Sequence, residues 1–381
     1  MVMNYLVEEE RAQFNKDPMR QLYPIYKSNF IQSEAVCFMK DELAPMARLL
    51  FAPKRIICLR DNSLQKEFVR GVDWEWSDEL QCLYLPQGSS IPYFTVAEAR
   101  GEGVKNYGDE PVGFDASGKA RIGNAVYCEN EWHYGKTLYI TYLANEKETA
   151  EYPVRNYFRP ELLPKTVKRL ESKEHIKVVF FGSSTHTGAD TSSWYKREPF
   201  MPGYPVLFCK ALESIYGAEI EYVNHSVGGT TGEWGVKEFE RAVINEKPDL
   251  LILGFGGNDK KYGDGLKKCL ANMKYMVDTT LSTFPECEIV VMSPAMQNPD
   301  SGWMAYTHRI VNPFKAMQRV GVRYCDFFEV GLDLLHRKEV LGLVGNGIVH
   351  PNDWITRLYV TNVLSLFVDL DDERAVKALR Y

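Results

Sequence analysis

The distribution of apolar positions changes partway along the chain. Between residues 35 and 145, short apolar runs are separated by turn residues, and strands are expected at 35–39, 55–59, 66–69, 81–85, 124–128 and 137–143. Several short strands at such spacing are typical of an all-β sandwich. This part contains no glycine-rich phosphate loop, metal-ligand spacing or internal repeat, so we expect it to carry no chemistry of its own.

Beyond residue 172, apolar runs alternate with helical patterns. Strands are expected at 176–181, 219–224, 249–255, 288–292 and 323–327, and helices near 205–216, 236–245, 266–284 and 354–367. This alternation predicts a doubly wound parallel sheet. A proline-containing segment before it predicts a stiff linker ending in a short helix at 165–172. The sequence thus predicts an N-terminal β-sandwich domain (1–150), a linker (151–172) and an α/β domain (173–381).

Length and composition agree with two domains. The chain has 381 residues, 45% of them hydrophobic, and a net charge of −6, which argues against nucleic acid as a partner. No run of Lys and Arg suggests a membrane surface, and no stretch is long enough to span a bilayer. Residues 1–14 lack the apolar core of a signal peptide, and the eight cysteines contain no Cys-x-x-Cys pair, so a reduced, cytoplasmic protein is expected.

The main candidate for chemistry lies where the first strand of the α/β part ends. Its apolar run stops at Gly182, which is followed by Ser183 and Ser184. Ligands of open α/β sheets bind beyond the carboxyl ends of such strands. Gly182 permits a sharp turn, and Ser184 would open the next helix, where free N–H groups favour developing negative charge. Ser184 is therefore a candidate nucleophile, although Gly-Ser-Ser is also a common loop composition.

Three further stretches follow in order, each at the end of an apolar run: Asn224 to Thr231 with its Gly228-Gly229 pair, Gly256-Gly257-Asn258-Asp259, and His350-Pro351-Asn352. With them, residues 173–381 resemble the SGNH, or GDSL-like, hydrolase superfamily, whose four blocks supply a Ser, a Gly, an Asn and a His. The resemblance implies a flavodoxin-like sheet and a serine esterase that uses neither metal nor cofactor.

The resemblance assigns a role to each block. Ser184 would be the nucleophile and His350 its base, because a serine hydroxyl is a poor nucleophile at neutral pH without one. The Ser184 N–H, the Gly229 N–H and the Asn258 side-chain amide would stabilise the oxyanion. The alternatives are an ordinary turn at Gly229 and a helix N-cap at Asn258.

The chain departs from the family at the acid. The family places a carboxylate three residues before the histidine, but Gly347 stands there. Either a backbone carbonyl orients His350 in a Ser-His dyad, or another residue such as Asp353 supplies the acid. Asp353 precedes Trp354 and is also suited to cap the final helix, which is the preferred interpretation.

The substrate is inferred less directly. A β-rich domain ahead of an SGNH domain resembles certain carbohydrate esterases, which predicts removal of O-acetyl groups from oligosaccharides. Trp234 and Trp303 are candidates for the substrate pocket, with packing as the equal alternative. Two other functions stay open: a lipid acylhydrolase or thioesterase, and a carbohydrate-binding protein whose hydrolase domain is inactive for want of the acid.

Overall fold

The computed structural model describes residues 22, 27–102, 104, 121–151, 158–261 and 265–379. The expectations for residues 1–14 and for part of the linker, 152–157, lie outside this range. The strands before residue 150 are β1 (Phe30–Val36), β2 (Met39–Lys40), β3 (Met46–Ala47), β4 (Pro53–Arg60), β5 (Glu67–Phe68), β6 (Glu75–Ser77), β7 (Cys82–Tyr84), β8 (Phe94–Thr95), β9 (Arg121–Ile122), β10 (Ala125–Val126) and β11 (Leu138–Ala144).

These strands form two larger sheets and a hairpin. One sheet is antiparallel with the order β1-β11-β4-β5, the other is mixed with the order β6-β7-β3-β2-β8, and β9 pairs with β10. Ile31 and Ile140 from the first sheet and Leu83 from the second are buried in the same core. The β-rich architecture predicted for this part is confirmed. The boundaries of the predicted domains themselves stay a prediction.

The C-terminal part is built on one parallel sheet. Its strands are β12 (Ile176–Gly182), β13 (Ile220–Asn224), β14 (Leu250–Gly254), β15 (Glu288–Met292) and β16 (Val322–Cys325), in the order β13-β12-β14-β15-β16. All residues of β14 and β15 are buried, and apart from Glu288 none of them is polar, as is typical of parallel strands covered on both faces. The order, 2-1-3-4-5 along the chain, is that of flavodoxin-like folds, so the predicted fold class is confirmed.

Helices accompany both parts of the described chain. They are α1 (Val96–Ala99), α2 (Glu131–Tyr134), α3 (Glu146–Glu151), α4 (Pro164–Glu171), α5 (Ser184–Thr187), α6 (Tyr204–Tyr216), α7 (Gly232–Phe239), α8 (Gly265–Thr283), α9 (Met304–Lys315), α10 (Phe327–Leu335), α11 (Asp353–Leu364) and α12 (Glu373–Leu379). α6 packs against α11 and α12, whereas α8 packs against α7 and α9. No described helix combines the length and apolar composition needed to cross a bilayer.

The topology marks one place on the sheet for a ligand. The chain leaves β12 to form β13 on one side and then returns to form β14 on the other. Such a reversal opens a crevice beyond the carboxyl ends of the two central strands. Here these strands are β12 and β14, and they are followed by Ser183-Ser184 and by Gly256-Gly257-Asn258.

Candidate active site

Ser184 follows the end of β12 as the first residue of α5. Ser183 before it has an extended backbone and donates its N–H to the Gly254 carbonyl at 3.1 Å. A Cβ on Gly182 would lie 2.5 Å from that same oxygen, so the close approach of the two strand ends requires glycine. The turn therefore presents the Ser184 side chain at the crevice between β12 and β14.

The loop before α11 carries His350 to the serine. His350 Nε2 lies 2.8 Å from Ser184 Oγ. The loop folds around the fully buried Asn346, whose Oδ1 accepts the N–H groups of Ile348, Val349 and His350 at 3.0, 2.9 and 3.2 Å. Because one side chain holds three consecutive N–H groups, the position of His350 is set by the loop itself.

The other ring nitrogen of His350 meets a carboxylate that the sequence did not indicate. His350 Nδ1 lies 2.5 Å from Asp190 Oδ2. Asp190 is buried in the loop after α5, in a left-handed backbone conformation with φ +64°, and the Tyr195 hydroxyl donates to its Oδ1. Ser184, His350 and Asp190 thus have the arrangement in which a buried carboxylate orients an imidazole toward a serine.

The charges around His350 favour its protonated form. Burial alone would lower the pKa of His350, but the neighbouring Asp190 carboxylate, by its charge and its hydrogen bond, and the charge of Glu129 outweigh it, so the pKa is raised. Glu129 Oε1 lies 3.6 Å from His350 Nδ1. An imidazole stabilised as the cation is well suited to accept a proton from a serine hydroxyl.

Asp353 is neither the acid of the site nor the cap of α11. Its Oδ1 accepts the Ser192 N–H at 2.8 Å instead of facing His350. The cap of α11 is Asn352, whose side chain accepts the Ile355 N–H at 3.0 Å. The expectation of Asp353 as acid or cap is therefore corrected. So is the expectation of a dyad, because His350 does contact a side-chain carboxylate.

The position three residues before His350 has no room for a carboxylate. A Cβ on Gly347 would lie 2.3 Å from the Val126 carbonyl oxygen, and the φ of +80° favours glycine. Asn298 Nδ2 also donates to the Gly347 carbonyl at 2.9 Å. The β9–β10 hairpin occupies the space into which a side chain would project, which is why the carboxylate comes from another loop.

The segments that carry the three expected oxyanion donors lie near Ser184. The Ser184 N–H opens α5. A Cβ on Gly228 would lie 3.7 Å from the Ser184 Cβ, so its loop runs beside the serine, and Gly229 follows with φ +75°. Asn258 lines the same cavity as Ser184, and its Nδ2 donates to the Thr230 carbonyl at 3.0 Å. A primary amide has two N–H bonds, so the second remains for a ligand.

The cavity beside Ser184 is small. Its volume is about 30 Å³, compared with roughly 10–15 Å³ needed by one water on the same scale. Trp303 lines it, as expected. Trp234 is absent from the lining: its ring packs against Phe181 and Phe255, with centroids 5.8 and 6.3 Å apart. The expectation for Trp234 as a pocket residue is therefore corrected to core packing.

Two titratable residues support the frame of the site. His186 lines the cavity, and burial lowers its pKa to about 3, so the ring is neutral. Asp259 accepts the Gly232 N–H at 3.0 Å, and burial raises its pKa to about 6. That bond ties the Gly-Asn-Asp stretch to the first residue of α7, which fixes the second and third blocks relative to each other.

One cluster at the site has the composition of a cation site. Glu129, Asp190 and His350 each offer a ligand atom, all within 4.8 Å of one another, and imidazole with carboxylates is a common donor set. His350 Nδ1 and Asp190 Oδ2 are already joined by a hydrogen bond. A cation bound there would have to displace the proton of that bond, so it would compete with the Ser184–His350–Asp190 arrangement.

Comparison with known proteins agrees with the fold. Residues 180–357 match the model of the GDSL-like lipase/acylhydrolase family. This part of the chain is therefore a GDSL-like acylhydrolase domain, the class of carboxylic ester hydrolase that the resemblance predicted. Among curated proteins, none matches the chain.

Several solved structures are similar to parts of the chain. A two-domain esterase active on acetylated mannans, co-crystallized with mannopentaose, has 18% identity and a TM-score of 0.45, and the match covers 55% of this chain and 54% of that one. A catalytic mutant of an acetylxylan esterase from Geobacillus stearothermophilus has 19% identity and a TM-score of 0.41, covering 51% and 95%. A gut microbial diltiazem-metabolizing enzyme has 16% sequence identity and a TM-score of 0.41, and the match covers 51% of this chain and 47% of that one. With identities and TM-scores this low, none of these likenesses bears on the substrate.

Proposed function

We propose that the protein is a serine esterase that removes O-acetyl groups from carbohydrates through an acyl-enzyme. The observation that carries the proposal is the continuous hydrogen-bonded path from Ser184 Oγ through His350 to the buried Asp190. A carboxylate in contact with the histidine removes the argument for an inactive carbohydrate-binding protein. The match of residues 180–357 to an acylhydrolase family supports the same reaction class.

The site residues divide the reaction between them. Ser184 Oγ attacks the ester carbonyl while His350 Nε2 takes its proton, and Asp190 stabilises the imidazolium. The Ser184 and Gly229 N–H groups and the Asn258 amide stabilise the oxyanion. The C–O bond to the sugar then breaks, and the sugar oxygen takes the proton from His350. Water then attacks the acyl carbonyl while His350 takes its proton, the bond between the acyl carbon and Ser184 Oγ breaks, and Ser184 Oγ regains the proton from His350 as acetate leaves.

The size and lining of the cavity support a short acyl group. A volume of about 30 Å³ suits a group of a few heavy atoms better than a fatty acyl chain. The half-buried Trp303 lies in its lining, and Lys260 Nζ covers one face of its ring, so only the other face is left to stack on the apolar face of a sugar. The proposed substrate is therefore an acetylated oligosaccharide, and the reaction needs no cofactor.

A substrate panel tests the proposal. Purified protein is assayed on acetylated oligosaccharides, long-chain nitrophenyl esters and acyl-thioesters, with Ser184→Ala as the blank. The proposal expects kcat/KM to be highest for the acetylated oligosaccharides. Preference for long chains would indicate a lipid acylhydrolase, and preference for thioesters a thioesterase. Turnover of none of the three, with oligosaccharide binding retained, would indicate a binding protein.

A further inference from the structure

The β9–β10 hairpin, from the β-rich part of the chain, forms one wall of the loop that carries His350. The Cys128 N–H donates to the Asn346 carbonyl at 3.1 Å, and the Asn124 N–H donates to the Asp300 carbonyl at 2.8 Å. The Val126 carbonyl lies against Gly347. Since Asn346 sets the position of His350, the hairpin and Cys128 just after it contact the loop on which the geometry of the site depends.

Glu129 projects from the segment that follows this hairpin. Its Oε1 lies 3.6 Å from His350 Nδ1 and accepts a hydrogen bond from the Tyr127 hydroxyl at 2.7 Å. The side chain is 45% exposed. A negative charge this close to an imidazole favours the imidazolium, and partial exposure to water weakens the effect without abolishing it.

We propose that Glu129 is a positioning residue of the esterase: its carboxylate, delivered by the β-rich part of the chain and held by Tyr127, stabilises the His350 imidazolium beside Asp190. The inference rests on the proposed function for its catalytic meaning. The β-rich part would then contribute to catalysis, contrary to the expectation from the sequence, because Glu129 completes the active site from outside the parallel sheet.

The groups facing His350 determine the sign of the effect. Asp190 and Glu129 are the carboxylates, the Tyr195 and Tyr127 hydroxyls donate to them, and burial raises the pKa of the nearby Cys128 thiol to about 11, so that thiol is neutral. Removing the charge of Glu129 should therefore lower the pKa of His350. Because kcat/KM requires neutral His350, its acid limb should move to lower pH.

The test is Glu129→Gln, which keeps an oxygen to accept the Tyr127 hydroxyl but removes the charge. Protein labelled with ¹³C at the histidine Cε1 positions is titrated by NMR, and the signal of His350 among the seven histidines is assigned with His350→Gln. The expected shift of the His350 pKa is downward by about 0.2–0.7 unit, with an equal shift of the acid limb of kcat/KM. Glu129→Asp should recover part of it.

Glu131→Gln is the matched control. Glu131 lies two residues away with a side chain 54% exposed, but it pairs with Arg197 rather than facing His350. It should leave the His350 titration unchanged. An unchanged titration in Glu129→Gln, or an equal shift in Glu131→Gln, overturns the inference. Since the NMR titration needs no turnover, a shift in a protein inactive on all esters would refute the proposed function and leave the role of Glu129 standing.

Discussion

Asp190 is held on both oxygens, by His350 Nδ1 and by the Tyr195 hydroxyl, in a loop that joins α5 to α6. A carboxylate with both oxygens engaged cannot rotate away from the imidazole, and its buried position keeps water from competing. Under the proposed mechanism, the hydrolase depends on this side chain for its activity. Its contribution is therefore the first to measure.

Asp190→Asn should lower kcat by about 10⁴, because an amide stabilises the wrong imidazole tautomer and carries no charge. Asp353→Asn is the control, because Asp353 is also buried but its carboxylate accepts the Ser192 N–H rather than a hydrogen bond from His350, and the substitution should lower kcat less than tenfold. Steady-state kinetics on the preferred ester, with circular dichroism to verify folding, measures both. If kcat falls equally in the two variants, Asp190 has no special role in orienting His350.

Asn258→Ala should lower kcat by about 10²–10³ with a smaller rise in KM, because the oxyanion donor is worth more in the transition state than in the ground state. Its second role, the bond to the Thr230 carbonyl, predicts a small loss of thermal stability as well. If kcat of the variant matches that of the parent protein while Tm falls, Asn258 stabilises the loop that contains Thr230 but is not an oxyanion donor.

Some of these side chains could be found from the sequence and some could not. Ser184, Asn258 and His350 each follow an apolar run, and the carboxyl ends of neighbouring parallel strands meet at one edge. Asp190 has no such marker: it stands alone in a polar loop, 160 positions from His350. Its approach depends on a left-handed turn and on tertiary contacts, which no local pattern encodes.

The start of α11 carries a second buried carboxylate with a measurable consequence. Burial raises the pKa of Asp353 from 3.8 to about 6. The folded protein therefore binds this proton more tightly than the unfolded chain. The contribution of Asp353 to the free energy of unfolding is largest below pH ~4 and is lost as the pH rises toward ~6.

Asp353→Asn should remove this dependence on pH. Between pH ~4 and pH ~6, the free energy of unfolding of the parent should fall relative to that of the variant by on the order of 2–3 kcal/mol. Urea denaturation at several pH values measures it, and subtracting the curves cancels the similar contribution of Asp259. Parallel curves would mean that Asp353 titrates normally.

Among the elements, periodicity located the parallel strands well but missed several helices, of which α9 and α10 show the reason. α9 contains Pro313 within it, which argues locally against a helix. α10 follows β16 directly through the cap Asp326, so its apolar start was assigned to the strand. In both cases the burial of apolar side chains, such as Phe314 in α9 and Phe328 in α10, overrides the local signal.

For the molecule as a whole, a buried ion pair joins its β-rich part to its parallel-sheet part. Lys338, which follows α10, pairs with Glu34 of β1, and their side chains are 1% and 0% exposed. Glu34 also accepts the Leu50 N–H at 2.8 Å and the Tyr142 hydroxyl at 2.7 Å. Removing one partner leaves an uncompensated charge, whereas removing both leaves a neutral site.

Lys338→Met should therefore lower the free energy of unfolding by about 3–5 kcal/mol, and the double variant with Glu34→Gln should recover part of it. Chemical denaturation measures both, and activity per folded molecule should stay unchanged since neither residue lines the cavity. If the double variant is as unstable as the single one, packing rather than charge explains the loss.

The identity of the nucleophile is the central claim, and labelling with a serine-directed phosphonate tests it most directly. The active protein is treated with the reagent, digested, and the adduct mapped by mass spectrometry. We predict stoichiometric loss of activity with the adduct on Ser184, and no adduct in His350→Ala, because Oγ then lacks its base. An adduct on Ser183, or full activity after treatment with no adduct on Ser184, would contradict the account.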